Sequence, residues 1–380
     1  MNFLPPFTLW IRSGLLALAL ALTCDQAAAA PLTNIFYLGD SYLDDGNFRA
    51  VINQPISEYV SNSAPWGTVV NVALGLPTTG RWTPAGGLSP LGTNYAVSGA
   101  GINHSSTPAD TSLHGQAAKL LEDYPHGLPA RSLAVIAIGT NDIVGIVGFG
   151  GLWSTQSSKW KLGNADFTVP AIDSSVTVPV TSTSGMTPGA QNLVVFLTNP
   201  TPVIMALTQI NRDEGKVVLT NKMGSPGTKI PANSEFEVSG KWFVDQVLPI
   251  LAADIKSILA DQGRVVLVLL PPTDLLPYFN RQSNQALVHD TWKYCYDKMN
   301  TIVSQDTDRL MIFDLKPVFQ DVFSDPTHFG FKLNYPGWKE SGSAAPDDYL
   351  FWDALHPSGA MHRYIAERFL QFLRTKGFTK

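Results

Sequence analysis

Five short apolar runs are the sequence feature that most constrains the fold of this chain. Each is rich in β-branched or aromatic residues, and none alternates with polar residues as a strand with one solvated face does. Strands of this kind are buried on both faces, as in a parallel sheet. The five runs are Ile35–Leu38, Asn94–Val97, Leu133–Ile138, Val265–Leu270 and Met311–Phe313.

Helical patterns lie between or after these runs, at Gly115–Tyr124, Phe243–Leu259, Arg281–Ser304 and Gly359–Arg374. An alternation of buried strands and amphipathic helices predicts an α/β fold with helices on both faces of the sheet. We therefore expect a three-layer α/β/α sandwich with a five-stranded parallel sheet in the flavodoxin-like order 2-1-3-4-5.

The interval 148–240 does not show this alternation of strands and helices. It is rich in Ser, Thr, Pro and Gly, and it contains β-like pieces at Leu193–Leu197, Lys216–Thr220 and Phe236–Val238. Such an interval is too long for a plain loop inside a compact domain. We expect 30–380 to be one domain that carries 148–240 as an inserted β-rich subdomain.

The first 29 residues have the pattern of a secretory signal peptide. Arg12 precedes the apolar stretch Leu15–Leu22, and the small residues Ala27–Ala30 follow. The stretch is too short to span a bilayer comfortably, so we expect a secreted protein, extracellular or periplasmic, with no transmembrane segment after processing. Processing leaves Cys295 as a single thiol, and its place among aromatics in a helical stretch favours a buried structural role.

Ser41 is the first candidate for a catalytic residue along the chain. It stands two residues beyond a predicted buried strand, in Gly39-Asp40-Ser41, where ligands bind in open α/β sheets. A serine in this position equally serves as a helix cap.

Two further segments follow predicted strands. Asn141, in Gly139-Thr140-Asn141-Asp142, could donate its side-chain amide to a developing oxyanion. Gly99 follows the run Asn94–Val97 and could expose a backbone N–H at the same sheet edge. Each segment taken singly is explained by a tight turn.

The fourth segment lies before the last helix. Asp353 precedes His356 by three residues, so the carboxylate can hold one ring nitrogen while the other accepts a proton from a serine. Asp325 and His328 have the same spacing. His328 has no adjoining strand or helix boundary that aims it at the sheet edge, so we favour His356.

These four segments, in this order, resemble the SGNH/GDSL family of serine esterases and lipases, in its lipase and autotransporter-esterase branch. The resemblance implies Ser41 as nucleophile, His356 as proton acceptor and donor, and Asp353 as the residue that orients His356. It implies an oxyanion hole formed by the backbone N–H groups of Ser41 and Gly99 and the side chain of Asn141. Tyr42 and Leu43 stand where a Leu-Ser pair often follows this serine, and we expect this change to narrow the mouth of the site.

The substrate remains open between a lipid or short-chain carboxylic ester and an acetylated polysaccharide. Acyl transfer from a phospholipid to a sterol is the alternative reaction, and a non-catalytic binding protein is the alternative from another class. The net charge of -5 gives no basic surface for nucleic acid. No cofactor is expected, and the histidines lack the spacing of metal ligands.

Overall fold

The computed structural model describes residues 31–54, 60–78, 80–83, 87–88, 92–107, 109–144, 159–184, 186, 192–196, 203–221, 225–237, 240–260, 263–280, 285–304, 309–332, 335–341 and 345–379. The predicted signal peptide lies outside these residues.

A parallel sheet forms the centre of the fold. Its strands, in the order β1-β4-β13-β14, pair in parallel throughout: β1 (Asn34–Gly39), β4 (Ser132–Ala137), β13 (Val265–Leu269) and β14 (Leu310–Asp314). Each coincides with a predicted strand, and nearly all of their apolar side chains are buried. The continuous apolar runs therefore predicted these four strands correctly.

The sheet has four regular strands in the described part of the chain, where five were expected. The predicted strand Asn94–Val97 lies along the free edge of β1, but only Asn94 forms a bridge, with Tyr37. Side-chain bonds explain the irregularity: the Gly39 N–H donates to Gln116 Oε1 at 2.7 Å, and the Tyr95 carbonyl accepts from Trp82 Nε1 at 3.0 Å. Because these two backbone groups bond side chains and not each other, the segment forms only part of a parallel ladder with β1.

Helices cover both faces of this sheet. The described α-helices are α1 (Asn47–Ile52), α2 (Trp66–Leu74), α3 (Leu113–Asp123), α4 (Thr140–Ile143), α5 (Gly240–Ala260), α6 (Pro277–Asn280), α7 (Gln285–Val303), α8 (Leu315–Ser324), α9 (Trp338–Ser341) and α10 (Gly359–Thr375). Short 3₁₀ helices occur at Thr273–Leu275 and Pro346–Asp348. Among the described residues, none of the helices has the length and apolar character needed to cross a bilayer.

Two neighbouring residues of β1 show the layering. Tyr37 packs edge-on against Trp66 of α2, whereas Phe36 packs against Tyr124 at the end of α3. Successive side chains of a strand point to opposite faces, so α2 and α3 lie on opposite sides of the sheet. Helices α8 and α10 join α2, and α5 and α7 join α3, which gives three α/β/α layers.

A second sheet is built from the β-rich interval. Its strands follow the order β5-β12-β8-β9-β10-β7 and pair antiparallel: β5 (Lys159–Lys161), β7 (Ser175–Pro179), β8 (Asn192–Phe196), β9 (Val203–Asn211), β10 (Lys216–Asn221) and β12 (Glu235–Glu237). β6 (Phe167–Thr168) pairs with β11 (Lys229–Ile230), and β2 (Trp82–Thr83) pairs with β3 (Gly87–Leu88). The six-stranded sheet buries an apolar cluster of its own, with Phe196 and Phe236 fully buried at its centre. Trp160 stacks on Phe236 at 6.1 Å and so packs this cluster.

Candidate active site

Ser41 follows a sharp turn at the end of β1. Gly39 has a φ of +153°, and a Cβ atom there would lie 2.0 Å from the carbonyl oxygen of Ala137 on β4. Only glycine allows this approach, which lets the Asp40 N–H donate to the same carbonyl at 3.2 Å. The turn therefore carries Ser41 to the carboxyl end of the sheet, where the following strands also end.

Ser41, His356 and Asp353 form a continuous hydrogen-bonded chain. His356 Nε2 lies 3.0 Å from Ser41 Oγ, and His356 Nδ1 lies 2.8 Å and 3.0 Å from the two carboxylate oxygens of Asp353. Ser41 and His356 are 315 positions apart, so only the fold brings them together. With Nδ1–H donating to the carboxylate, Nε2 is free to accept the serine proton.

The Asp353 carboxylate is held as an anion. Burial alone raises its pKa, but the hydrogen bond from His356 and those from the Leu355 and His356 N–H groups outweigh burial and lower it. A carboxylate that stays charged can stabilise an imidazolium beside it.

Two further segments place hydrogen-bond donors at this edge. The Val97 N–H donates to the Gly39 carbonyl at 3.0 Å, which brings the turn at Gly99 beside the turn at Ser41. Asn141 opens α4 after β4, and its Nδ2 donates to the Ala100 carbonyl at 2.8 Å. An amide group has two protons, so one remains for a ligand.

Gly99 has the backbone geometry that such a donor needs. Its φ of +79° lies in the left-handed region that favours glycine. Within the described part of the chain, neither the Ser41 N–H nor the Gly99 N–H donates a hydrogen bond. The structure thus brings all five predicted residues to one sheet edge, and three of them carry N–H groups that can donate to a ligand.

Two buried polar residues, Gln116 and Asp44, support the two turns. Gln116 of α3 accepts from the Gly39 N–H at 2.7 Å and donates to the Gly39 carbonyl at 2.9 Å, so it holds both sides of the first turn. Asp44 accepts from the Ser98 N–H and hydroxyl, both at 2.7 Å, and so ties the first turn to the second. A glutamine on the apolar face of a helix was the available signal for Gln116.

Tyr42 contacts the loop that carries His356. Its ring is buried, and its hydroxyl donates to the Leu355 carbonyl at 3.0 Å. The residue after the nucleophile therefore supports the loop that carries His356.

His328 lies in different surroundings. Its side chain is exposed and packs against Phe329, and the Asp325 carboxylate accepts from the His328 backbone N–H at 3.2 Å. The three-residue spacing of Asp325 and His328 therefore serves a backbone turn, and not a bond between the carboxylate and the imidazole ring. Cys295, by contrast, is buried, and burial raises the pKa of its thiol.

The described residues contain no group of three or more His, Cys, Asp or Glu side chains that could hold a metal ion. The site's polar atoms are instead the hydroxyl, imidazole, carboxylate and amide groups named above.

Part of the chain matches a known protein family. Residues 241–369, about a third of the chain, match the family GDSL-like Lipase/Acylhydrolase, and this segment contains Asp353 and His356. No curated protein sequence matches the chain.

Solved structures with a similar course of the chain have low sequence identity. An α/β hydrolase enzyme from the metagenome of Lake Arreo is 12% identical, with 92% of this chain and 98% of that one covered and a TM-score of 0.39. A GDSL-like lipase of Parabacteroides merdae is 11% identical, with 90% and 96% covered and a TM-score of 0.39. An acetyl xylan esterase of Geobacillus stearothermophilus is 12% identical, with 93% and 98% covered and a TM-score of 0.41.

At such identities and TM-scores nothing about the activity of this chain follows from these three structures. The family match covers the carboxyl-terminal part of the chain, and the Gly39-Asp40-Ser41 block near the amino terminus lies outside it. Over residues 241–369 the chain is similar to the GDSL-like lipases and acylhydrolases, and it is a carboxylic ester hydrolase.

Proposed function

We propose that this chain is a secreted serine hydrolase that cleaves acyl esters through an acyl-enzyme on Ser41, with lipid or short-chain esters as substrates. The observation that carries the proposal is the hydrogen-bonded chain from Ser41 Oγ through His356 to Asp353. Secretion rests on the signal-peptide pattern of residues 1–29.

The first half of the reaction forms the acyl-enzyme. Ser41 Oγ attacks the ester carbonyl carbon while its proton passes to His356 Nε2, and the carbonyl oxygen becomes an oxyanion. The N–H groups of Ser41 and Gly99 and the amide of Asn141 donate to that oxyanion. When the carbon–oxygen bond of the ester breaks, His356 gives its proton to the leaving alkoxide, which departs as the alcohol.

The second half repeats these steps with water. His356 accepts a proton from water as the water oxygen attacks the acyl carbon, and the same donors hold the second oxyanion. Breakdown releases the carboxylic acid and returns the proton to Ser41 Oγ. Each oxyanion donor typically contributes about 2.7–4 kcal/mol to the transition state.

The test is the substitution Ser41→Ala. We expect it to abolish turnover of p-nitrophenyl acetate and labelling by a fluorophosphonate, since both reactions need the hydroxyl as nucleophile. Ser257→Ala is the control, because Ser257 is an exposed residue of α5 whose hydroxyl donates to the Ala253 carbonyl of the same helix at 3.0 Å. Circular dichroism of both variants checks that the fold is intact.

Undiminished turnover in Ser41→Ala would refute the assignment of the nucleophile. A product ester formed in the presence of an added alcohol or sterol, in place of the free acid, would assign acyl transfer and not hydrolysis.

A further inference from the structure

A cavity lies at the amino edge of the central sheet, at the opposite end of the strands from Ser41. Its volume is about 590 Å³, within the roughly 300–1,000 Å³ typical of ligand sites. It is lined by His126 and residues 128–132, which lead into β4, and by Ala260, Gly263 and Arg264, which lead into β13. Because β4 and β13 are parallel neighbours, the segments before them meet at the same edge. We call this space the amino-edge cavity.

Two arginines without ion-pair partners line this cavity. Arg131 immediately precedes β4, and Arg264 immediately precedes β13. Within the part of the chain that the structure describes, neither forms an ion pair, and the Arg264 guanidinium lies 5.5 Å from the centre of the Phe378 ring. The net charge of the chain is -5, so two unpaired cations at one cavity do not reflect a general excess of positive charge.

The rest of the lining does not neutralise these cations. None of the described lining residues is Asp or Glu, and Asp261 lies outside the described residues. His126 is exposed and adds an imidazole, which carries at least one N–H donor in each of its protonation states. The described lining is therefore cationic and rich in hydrogen-bond donors.

Ser132 supplies an observation that is independent of the arginines. It lines the cavity as the first residue of β4, and it is only 5% exposed. Its hydroxyl has no hydrogen-bond partner among the described residues. A buried hydroxyl without a partner costs free energy, and a ligand with acceptor oxygens would recover that cost.

The backbone holds Arg131 at this edge in an uncommon conformation. Its φ of +64° lies in the left-handed region, which a residue with a long side chain rarely adopts. The Arg131 carbonyl accepts from the Thr33 N–H at 3.1 Å, and the Ala130 carbonyl accepts from the Thr33 hydroxyl at 3.0 Å. The start of β1 thus fixes the turn that carries the arginine. Such backbone strain is concentrated at sites that bind ligands.

The donors match a phosphate group better than a carboxylate. Each guanidinium presents N–H groups in a planar fork that binds two oxygens at once. Two such forks, an imidazole and a hydroxyl supply more donors than the two oxygens of a carboxylate can use. A phosphate monoester has three terminal oxygens and nearly two negative charges at neutral pH.

We propose that the amino-edge cavity binds a phosphate group, as the inorganic ion or as a phosphate monoester. This site is separate from Ser41 and takes no part in the ester reaction. Its distance from the carboxyl ends of the strands is about 20 Å, the length of a six-residue strand.

Calorimetry tests the binding. Inorganic phosphate is titrated into the protein at constant ionic strength, and we expect saturable binding to one site. Arg131→Gln and Arg264→Gln should each weaken it at least about tenfold, because each removes charge-assisted hydrogen bonds. The control is Arg49→Gln, which changes the net charge equally at an exposed residue of α1 outside the cavity and should stay within about twofold of wild type.

Ser132→Ala separates a ligand contact from a structural role. The substitution should weaken phosphate binding and leave the free energy of unfolding in urea undiminished, because alanine removes a hydroxyl that has no partner in the folded chain. Unchanged phosphate affinity in this variant would overturn the part assigned to Ser132.

A second arm distinguishes the sources of the phosphate group. Glycerol 3-phosphate is titrated in the same way, and sedimentation with phosphatidylcholine vesicles is measured with and without phosphatidic acid. A headgroup held at this edge would turn Ser41 away from the bilayer, so we expect binding of glycerol 3-phosphate without sedimentation. Sedimentation that needs both phosphatidic acid and Arg131 would support the site and assign the headgroup as its ligand.

Three results would overturn the site itself. The first is the absence of saturable phosphate binding, and the second is equal weakening in Arg49→Gln. The third is phosphate bound in the oxyanion hole, which would raise KM for p-nitrophenyl acetate and would not respond to substitution of Arg131 or Arg264. We expect KM to be unchanged by phosphate, because the amino-edge cavity lies at the other end of the sheet.

Discussion

Three histidines of this chain, His126, His328 and His356, follow an aspartate by three positions, and different surroundings distinguish the last two. His356 is half-buried, with one ring nitrogen on Asp353 and the other on Ser41. His328 is exposed, and its aspartate bonds the backbone N–H instead. The same local spacing thus produces a proton carrier in one loop and an ordinary turn in the other.

We predict that His356→Ala lowers kcat for p-nitrophenyl acetate at least about 100-fold, because general acid–base catalysis contributes on that order or more. His328→Ala should leave kcat within about twofold of wild type, as expected for an exposed side chain away from the active site. Steady-state kinetics of the two purified variants check both expectations. Loss of activity in His328→Ala with retention in His356→Ala would reassign the partner of Ser41.

At the scale of elements, the end of β1 decides where Ser41 stands. Gly39 lies so close to β4 that any side chain would meet the Ala137 carbonyl, and Gln116 of α3 fixes both polar groups of the same peptide segment. Strand, neighbouring strand and helix therefore define one position for the nucleophile.

Gly39→Ala should destabilise the protein by more than a glycine substitution with free space. The new methyl group would lie 2.0 Å from backbone, so β1 and β4 must separate, and overpacking of this kind costs typically about 1–3 kcal/mol. Gly75→Ala is the matched control, since Gly75 has a φ of +67° with nothing within 4 Å of its Cβ position, and only the left-handed backbone cost of about 1–2 kcal/mol applies. Urea unfolding measures both, and equal free energies of unfolding would contradict the close approach.

At the scale of the whole molecule, three carboxyl groups near the site are buried, those of Asp40, Asp44 and Asp142. Burial raises the pKa of Asp40 from 3.8 to about 7, and it also raises the pKa values of Asp44 and Asp142. A group that binds its proton more tightly in the folded state stabilises the protein below its unfolded pKa, and this stabilisation is lost as the pH rises through its folded pKa.

We predict that Asp40→Asn flattens the pH dependence of stability. Between 3.8 and about 7 the folded wild type binds more protons at Asp40 than the unfolded chain does, so its free energy of unfolding falls as the pH rises. The amide has no proton to lose, so the free energy of unfolding of the variant rises relative to that of wild type as the pH increases across that range. Urea unfolding at a series of pH values gives the difference.

Asp325→Asn is the control for this measurement. Its hydrogen bonds to Thr327 and to the His328 N–H lower the pKa of Asp325, so its titration is complete below the range in which Asp40 titrates. The free energy of unfolding of Asp325→Asn should therefore change with pH in parallel with that of wild type over the range in which Asp40 titrates. A parallel profile for Asp40→Asn as well would show that Asp40 does not titrate with a raised pKa.

Sequence patterns predicted much of this fold and site. The apolar runs located β1, β4, β13 and β14, because strands buried on both faces leave a continuous signature. They did not predict the irregular edge at Asn94–Val97, where side chains of Gln116 and Trp82 bond the backbone groups that would pair in a full ladder. Gln116 was missed for the same reason, since its partner Gly39 is 77 positions away.

The sequence by itself determined the chemical groups and their order: a serine after a strand, two segments with donors, and an aspartate three residues before a histidine. These are local properties, set by residue type and short spacing. Only the tertiary structure decided that His356 and not His328 meets Ser41, that Tyr42 braces the His356 loop, and that the segments before β4 and β13 form one cavity at the other end of the sheet. The reason is that such contacts join residues far apart along the chain, and their distances are fixed by how the sheet and helices pack.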